Sequence, residues 1–383
     1  MIFLSGVLSP NCKFFKKQII TPYFATMTFQ NELINWYIIN KRDLPWRHTN
    51  DPYVIWLSEI ILQQTRVEQG LPYFNRFLEN FPTVTDFAAA GEAKVLKLWQ
   101  GLGYYSRGRN MHSTAQIVVD NYNGIFPTLH DDLIKLKGIG EYTAAAISSF
   151  SSGEARAVVD GNVFRVLARY FGIDTAINSI EGKKQFFKLA NELLFKEDPA
   201  LYNQAIMEFG AIQCKPKSPD CSKCPLNVEC YARKHNVVGQ LPVKLSKASK
   251  RHRYFNYLVS VTNDEILVRE RQAGDIWQHL YDFPCIETMD FSGDDDELLK
   301  LKVKSDFGNN SELTLISYKK HILTHQIIHV RFFALKNYIF NFNKQKELNW
   351  VSFSKLDELP KPNVIRNFIE EFSEAHEGLT NLR

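Results

Sequence analysis

Four of the six cysteines, Cys214, Cys221, Cys224 and Cys230, crowd into one stretch of the form C-x6-C-x2-C-x5-C. Thiols at this density read as metal ligation, and Cys12 and Cys285 stand far from them. The form differs from the paired C-x2-C knuckles of most structural zinc sites, but zinc is the alternative metal for four thiolates. Two carboxylates also draw attention. Glu59 sits in the apolar run Trp56-Leu57-Ser58-Glu59-Ile60-Ile61-Leu62, where a water-poor setting would raise its pKa and make it an acid near neutrality. Asp160 precedes Val163, Phe164, Val166 and Leu167 and reads as a helix N-cap, a position that keeps a carboxylate oriented and ionised. Finally, Leu136-Lys137-Gly138-Ile139-Gly140-Glu141-Tyr142-Thr143-Ala144 reads as a helix end, a Gly-x-Gly turn and a new helix. Such a turn lets backbone come close to a ligand and points amide N–H groups at it, a geometry that suits phosphate. Any tight helix-helix turn also uses glycine.

The elements that must hold these residues change texture once. From Asn31 to about His235 apolar residues recur at three- and four-residue spacing with Pro or Gly between, which predicts helices. From about Tyr254 the runs Tyr257–Val261, Ile266–Val268 and Ile327–Phe333 predict strands. Residues 236–252, with Gly239, Pro242, serines and the basic run Lys244, Lys247, Lys250, Arg251 and Arg253, read as an exposed linker.

Gly138-Ile139-Gly140 with Thr143-Ala144, followed by Val159-Asp160-Gly161-Asn162-Val163, resembles the helix-hairpin-helix glycosylase superfamily. With the cysteine set it resembles the endonuclease III and MutY branches, which implies a [4Fe-4S] cluster held by the four cysteines. In that family the cluster is not the catalyst; its loops help hold the DNA backbone, and Lys215 and Lys217 lie between the first two ligands. Leu57-Ser58-Glu59 with Leu62-Gln63-Gln64-Thr65 is similar to the adenine glycosylase active site, implying Glu59, Asp160, Tyr142 and Asn162 as its catalytic set. Lyase members carry lysine where this chain has Tyr142, so Schiff-base chemistry with the sugar is not expected. In Gly101-Leu102-Gly103-Tyr104-Tyr105-Ser106-Arg107 the resemblance makes Tyr104 a wedge in the base stack, with Gln64 inserted from the opposite flank. Trp46, Arg47 and Glu208 match positions around an extruded adenine.

Beyond the linker, Ile266–Arg271, Ile276-Trp277 and Leu280–Pro284 resemble the Nudix-like domain with which MutY enzymes recognise 8-oxoguanine. The glutamate-rich box of Nudix hydrolases is absent, so pyrophosphate hydrolysis is not expected. His279 stands where glycine is common, and Thr324-His325 where Phe-Ser-His is common; the hydroxyl and the imidazole donor remain for lesion recognition.

The expected architecture is therefore a mainly α N-terminal helix-hairpin-helix glycosylase domain with a [4Fe-4S] subdomain, plus an α+β Nudix-like C-terminal domain. The expected boundaries are a disordered extension over 1–26, with Met27 an alternative initiator, the glycosylase domain over 27–235 with its cluster at 214–230, the linker over 236–252, the recognition domain over 253–370 and a tail over 371–383. The resemblance implies a monofunctional glycosylase hydrolysing the N-glycosidic bond of adenine opposite 8-oxoguanine or guanine, acting as a monomer on double-stranded DNA. An endonuclease III-like lyase is opposed by Tyr142, and a non-catalytic DNA-binding or iron-sulfur sensor protein by the presence of both carboxylates. A net charge of +4 says little about nucleic acid. With 45% hydrophobic and 23% charged residues there is material for sizeable cores. The clustered cysteines favour a reducing setting, and no apolar run reaches membrane-spanning length. A cytoplasmic, nucleoid-associated protein is expected; residues 1–31 carry no acidic side chain, which keeps organellar targeting by residues 1–26 as the lesser alternative.

Overall fold

The computed structural model describes residues 22–246, 249–262, 264–339 and 347–374. Of the expected extension, residues 1–21 lie outside the described set, as do residues 375–383 of the expected tail. The helices are α1 (Pro22–Asn40), α2 (Pro52–Ile61), α3 (Val67–Asn80), α4 (Val84–Ala89), α5 (Glu92–Trp99), α6 (Ser106–Tyr122), α7 (His130–Leu133), α8 (Glu141–Ser152), α9 (Gly161–Phe171), α10 (Ile180–Glu192), α11 (Pro199–Glu208) and α12 (Tyr231–Lys234). Then come strands β1 (Arg251–Val259), β2 (Val261–Thr262), β3 (Glu265–Glu270), β4 (Tyr281–Asp282) and β5 (Cys285–Thr288), helix α13 (Gly293–Phe307), β6 (Glu312–Ile322), β7 (Gln326–Lys336), β8 (Leu348–Ser352), α14 (Phe353–Glu358) and α15 (Asn363–Glu374). Helix α1 thus opens inside the expected extension. Among the described residues no helix is long and apolar enough to cross a membrane.

Two compact units interleave along the chain: residues 1–43 with 155–244, and residues 44–154 with 245–383. In the first, α1 lies on α11, with Trp36 edge-on to Phe209 at 5.0 Å and Phe29 against Tyr170 at 4.6 Å. Residues 236–244, read as the start of an exposed linker, pack here: Leu241 is buried, and its carbonyl accepts from Arg169 Nε at 3.0 Å.

In the second unit α2 starts where its sequence dictates, with Asp51 capping the Tyr53 N–H at 2.9 Å and Pro52 in the first turn, where its missing N–H costs nothing. Its apolar faces bury Ile55, Trp56, Leu57, Ile60 and Ile61 in a core where Phe81 stacks on Phe87 and Phe77 meets Trp99 edge-on. The C-terminal part of this unit forms two sheets, ordered β5-β1-β7-β6 and β2-β3-β4 with β8 on β3; β1 and β7 run parallel. Phe332 stacks on Phe368 of α15 at 3.9 Å beneath the first sheet. These sheets are tied to the helices of residues 44–154: Tyr105 Oη donates to the Lys361 carbonyl at 3.0 Å, and Arg109 to the Gln278 carbonyl at 3.0 Å. Arg253, counted in the basic run, is buried and paired with Asp275 and Glu287 at 2.6 Å each, which removes it from any phosphate-facing surface.

Candidate active site

Helix α2 presents Glu59 half-buried between the buried Ser58 and Ile60. The hairpin that ends in α8 brings Tyr142 against it, and the Tyr142 hydroxyl donates to Glu59 Oε2 at 2.7 Å. One position later, Thr143 Oγ1 accepts from Gln63 Nε2 at 3.3 Å, so consecutive residues of α8 hold α2 and the turn that follows it. The hairpin itself turns at Gly138, whose φ of +80° favours glycine and whose absent Cβ would lie 2.8 Å from Asn110 Cβ. Ile139 is buried between the exposed Gly138 and Gly140, which anchors the turn; among the described residues, the chain neighbours aside, nothing stands within 4 Å of a Cβ on Gly140. The turn leads directly into the N-terminus of α8, the end of a helix that favours an anion.

Two loops flank this pair of helices. Gln64, exposed at the end of α2, has φ +56°, and Tyr104, 43% exposed, has φ +46°. Both non-glycine residues are held in the left-handed region, a conformation that persists only where neighbouring structure imposes it. The neighbour is Arg107, whose guanidinium donates to the carbonyls of Ile60 at 2.8 Å, Gln63 at 2.7 Å and Leu102 at 3.2 Å. Burial pulls this guanidinium down to about 10. The tip of the β6–β7 hairpin carries Thr324 and the exposed His325, and the Tyr104 hydroxyl is hydrogen-bonded to Thr324 Oγ1. His279 has φ +60°, which explains why glycine suits the position; its Nδ1 lies 2.9 Å from Glu270 Oε1. Trp46, 9% exposed, stands edge-on to Phe74, and Arg47 follows it in the short helical turn Pro45–Arg47.

In the other unit Asp160 caps α9 as its sequence setting predicts. Its Oδ1 accepts from the N–H groups of Asn162 and Val163 at 2.8 Å each, and its Oδ2 from Asn162 Nδ2 at 2.6 Å. Burial pushes the carboxyl above the ordinary aspartate range, and the Val163 and Asn162 donors pull it back. Asn162 Oδ1 accepts from Arg165 NH2 at 2.8 Å, and the same guanidinium reaches the Gly210 carbonyl at 2.7 Å and that of Cys214 at 2.8 Å. Gly210 is required there, because a Cβ would fall 2.6 Å from Asn162 Cβ.

The cysteine segment is pinned to α9 by a second arginine. Arg169 donates to the carbonyls of Lys215 at 2.7 Å and Pro216 at 3.0 Å and lies 3.4 Å from Cys214 Sγ. All four thiols are half-buried, and burial, with Cys214, Cys230 and Cys221 nearby, pushes the Cys224 thiol up to about 12. Among the described residues no group of three or more His, Cys, Asp or Glu stands so that it could hold a metal ion. Lys215 and Lys217 are exposed. Glu208, 1% exposed, is gripped by Arg42 through Nε at 2.8 Å and NH2 at 2.7 Å.

Sequence reasoning named neither Arg42 nor the arginines of α9. Arg165 and Arg169 stand one turn apart and both are buried, a pairing visible in the sequence as two cations on the apolar stripe of a helix. Arg42 has no local signal, since its partner is far along the chain.

Residues 57–194 match the family model described as the HhH-GPD superfamily base excision DNA repair protein, and residues 256–371 match a NUDIX domain. An adenine DNA glycosylase of Buchnera aphidicola subsp. Acyrthosiphon pisum (strain APS) is 32% identical over 90% of this chain and 97% of its own. The Homo sapiens adenine DNA glycosylase is 41% identical over 56% of this chain and 41% of its own. The solved structure of a thermostable thymine-DNA glycosylase, 29% identical, superposes with a TM-score of 0.52 over 56% of this chain and 98% of that one. Near-complete alignment with adenine glycosylases, on a helix-hairpin-helix body followed by a NUDIX-type domain, establishes that the chain belongs to the adenine DNA glycosylase, or MutY, family within the helix-hairpin-helix superfamily of base excision DNA repair proteins.

Proposed function

We propose that this protein is a monofunctional glycosylase hydrolysing the N-glycosidic bond of 2'-deoxyadenosine opposite 8-oxoguanine or guanine in double-stranded DNA, working as a monomer. The observation that carries the reading is the Tyr142–Glu59 hydrogen bond, which puts a phenol and not an amine beside the candidate acid. In this reading Glu59 gives its proton to N7 of the extruded adenine, and the C1'–N9 bond breaks with its electron pair leaving on the base. The Asp160 carboxylate stabilises the sugar cation, and Glu59, now ionised, takes the proton of the attacking water. Trp46, Arg47 and Glu208 line the adenine's surroundings, with Glu208 oriented by Arg42. Tyr104 and Gln64 fill the space the base leaves, the Gly138 and Gly140 turn with Lys215 and Lys217 takes phosphates, and Thr324 and His325 read 8-oxoguanine.

Cys214, Cys221, Cys224 and Cys230 are the donor set this reading assigns to a [4Fe-4S] cluster, on the chemistry of four half-buried thiols on a segment clamped to α9; among the described residues they do not stand grouped as ligands, so binding would have to draw them together. When bound, the cluster supplies a four-point cross-link for the segment that carries Lys215 and Lys217. The purified protein is expected to be brown with visible cluster absorption and to contain iron and sulfide in equal amounts; a colourless protein containing zinc would reverse the assignment.

The test of the activity is single-turnover cleavage of a duplex with adenine opposite 8-oxoguanine, read with and without alkali. Strand breaks that need alkali support the reading; release of oxidised pyrimidines with nicking and no release of adenine overturns it. A related prediction concerns the missing amine. Tyr142→Lys is expected to lose part of its adenine release, because Glu59 loses its donor, and to gain nicking without alkali together with a borohydride-trappable DNA adduct. Unchanged alkali dependence and no adduct would show that position 142 does not face the sugar.

A further inference from the structure

We propose that Arg107 is a positioning residue that fixes the Gln64 loop and the Tyr104 loop as one rigid piece, so that both side chains enter the duplex at a set mutual spacing. The inference rests on the reading of Gln64 and Tyr104 as inserted residues. One guanidinium serves both loops. Its NH1 donates to Ile60 and Gln63 at the end of α2, its NH2 to Leu102 at 3.2 Å, and its face lies over Trp99 at 4.9 Å and over Tyr104 at 5.6 Å. The residue after Gln63 and the residue after Gly103 are the two left-handed, non-glycine positions of this region. A cation at the C-terminus of α2 also complements the negative end of that helix, in the turn directly after Glu59, where the Ile60 carbonyl accepts from Arg107 as well as from the Gln63 N–H.

The chemistry of the side chain makes the arrangement specific. A planar fork with donors on separate edges reaches two loops at once and stacks on an aromatic ring, which an ammonium on a flexible stem does not. Base steps in a duplex have fixed spacing, so loops that drift independently must be ordered on binding. The loss of Arg107 therefore falls on binding and base extrusion, and not on bond cleavage in a base already extruded.

The experiment compares wild type with Arg107→Lys and Arg107→Met in three readouts: affinity for a duplex with adenine opposite 8-oxoguanine, 2-aminopurine fluorescence beside the target adenine, and the single-turnover rate at saturating protein. Both variants are expected to bind roughly tenfold more weakly or worse, the effect of losing about one charge-assisted hydrogen bond, and to give a diminished extrusion signal. The saturated rate is expected to change far less, and lysine is not expected to rescue. Affinity and fluorescence within about twofold of wild type in the folded Lys variant, or full rescue by lysine, would overturn the inference while wild-type adenine release leaves the functional reading standing. Wild type that neither extrudes nor releases adenine would instead sink that reading. Should Arg107→Met fail to fold, Arg107→Lys carries the comparison.

Discussion

Glu59→Gln is expected to lower single-turnover adenine release by about a thousandfold or more while leaving duplex affinity nearly unchanged, because a positioned acid contributes roughly 10²- to 10⁴-fold and this one serves twice. Glutamine has the same shape, fits the same half-buried position between Ser58 and Ile60, and offers a carbonyl oxygen that can still accept from Tyr142 Oη. Helix α2 is fixed by its Asp51 cap and by Ile55, Trp56 and Leu57 in the core, none of which the substitution touches. What disappears is the proton: an amide neither protonates N7 nor takes a proton from water. Comparing the rate with the dissociation constant on one duplex separates the two effects. A variant that keeps a tenth of wild-type activity would remove Glu59 from the role of acid, whatever its affinity.

Both helices that carry carboxylates were legible in the sequence because their signals are local. Asp160 before an apolar run reads as a cap, and it caps α9. The structure adds a second local signal, Asp51-Pro52 before an apolar run, which caps and starts α2. What was not legible is long-range. Glu59 and Tyr142 appear in separate motifs, and only tertiary packing joins them; the Arg42 grip on Glu208 has no local trace at all. Asp294, Asp295 and Asp296 stand in the first turn of α13, where negative charge suits the helix N-terminus, and the pairing of Asp296 with Arg331 at 2.6 Å is again a long-range contact with no local trace. Strand β6 has no clear sequence mark, because Tyr318-Lys319-Lys320-His321 interrupts its apolar residues and none of its residues is fully buried. Periodicity is equally silent about the interleaving of the two units: α8 and α9 are consecutive helices, but they belong to different units.

Asp160→Asn is expected to cut adenine release by roughly 10²- to 10³-fold, the scale of removing one electrostatic stabiliser of a charged transition state. Asparagine caps a helix as well as aspartate, so the stability loss comes from the contact with Asn162 and is expected to be about 1–3 kcal/mol, the cost of one buried donor left unmatched. The asparagine Oδ1 inherits the Asn162 and Val163 N–H groups, while its Nδ2 meets Asn162 Nδ2 where Oδ2 now accepts at 2.6 Å. That donor-donor conflict is local, and Asn162 remains held by Arg165 NH2. Thermal unfolding with the cluster absorption as a second probe therefore separates catalysis from folding. The pH dependence gives an independent sign. Burial holds the Asp160 carboxyl above the ordinary aspartate range, so as pH falls it is protonated earlier than a free aspartate, and the charge that faces the sugar cation is lost. Wild type should show an acid limb in its single-turnover rate above that ordinary range, and Asp160→Asn, which has no charge to lose, should lack it. If the limb survives the substitution, another group sets it; if the variant is active but unstable, Asp160 is a cap and nothing more.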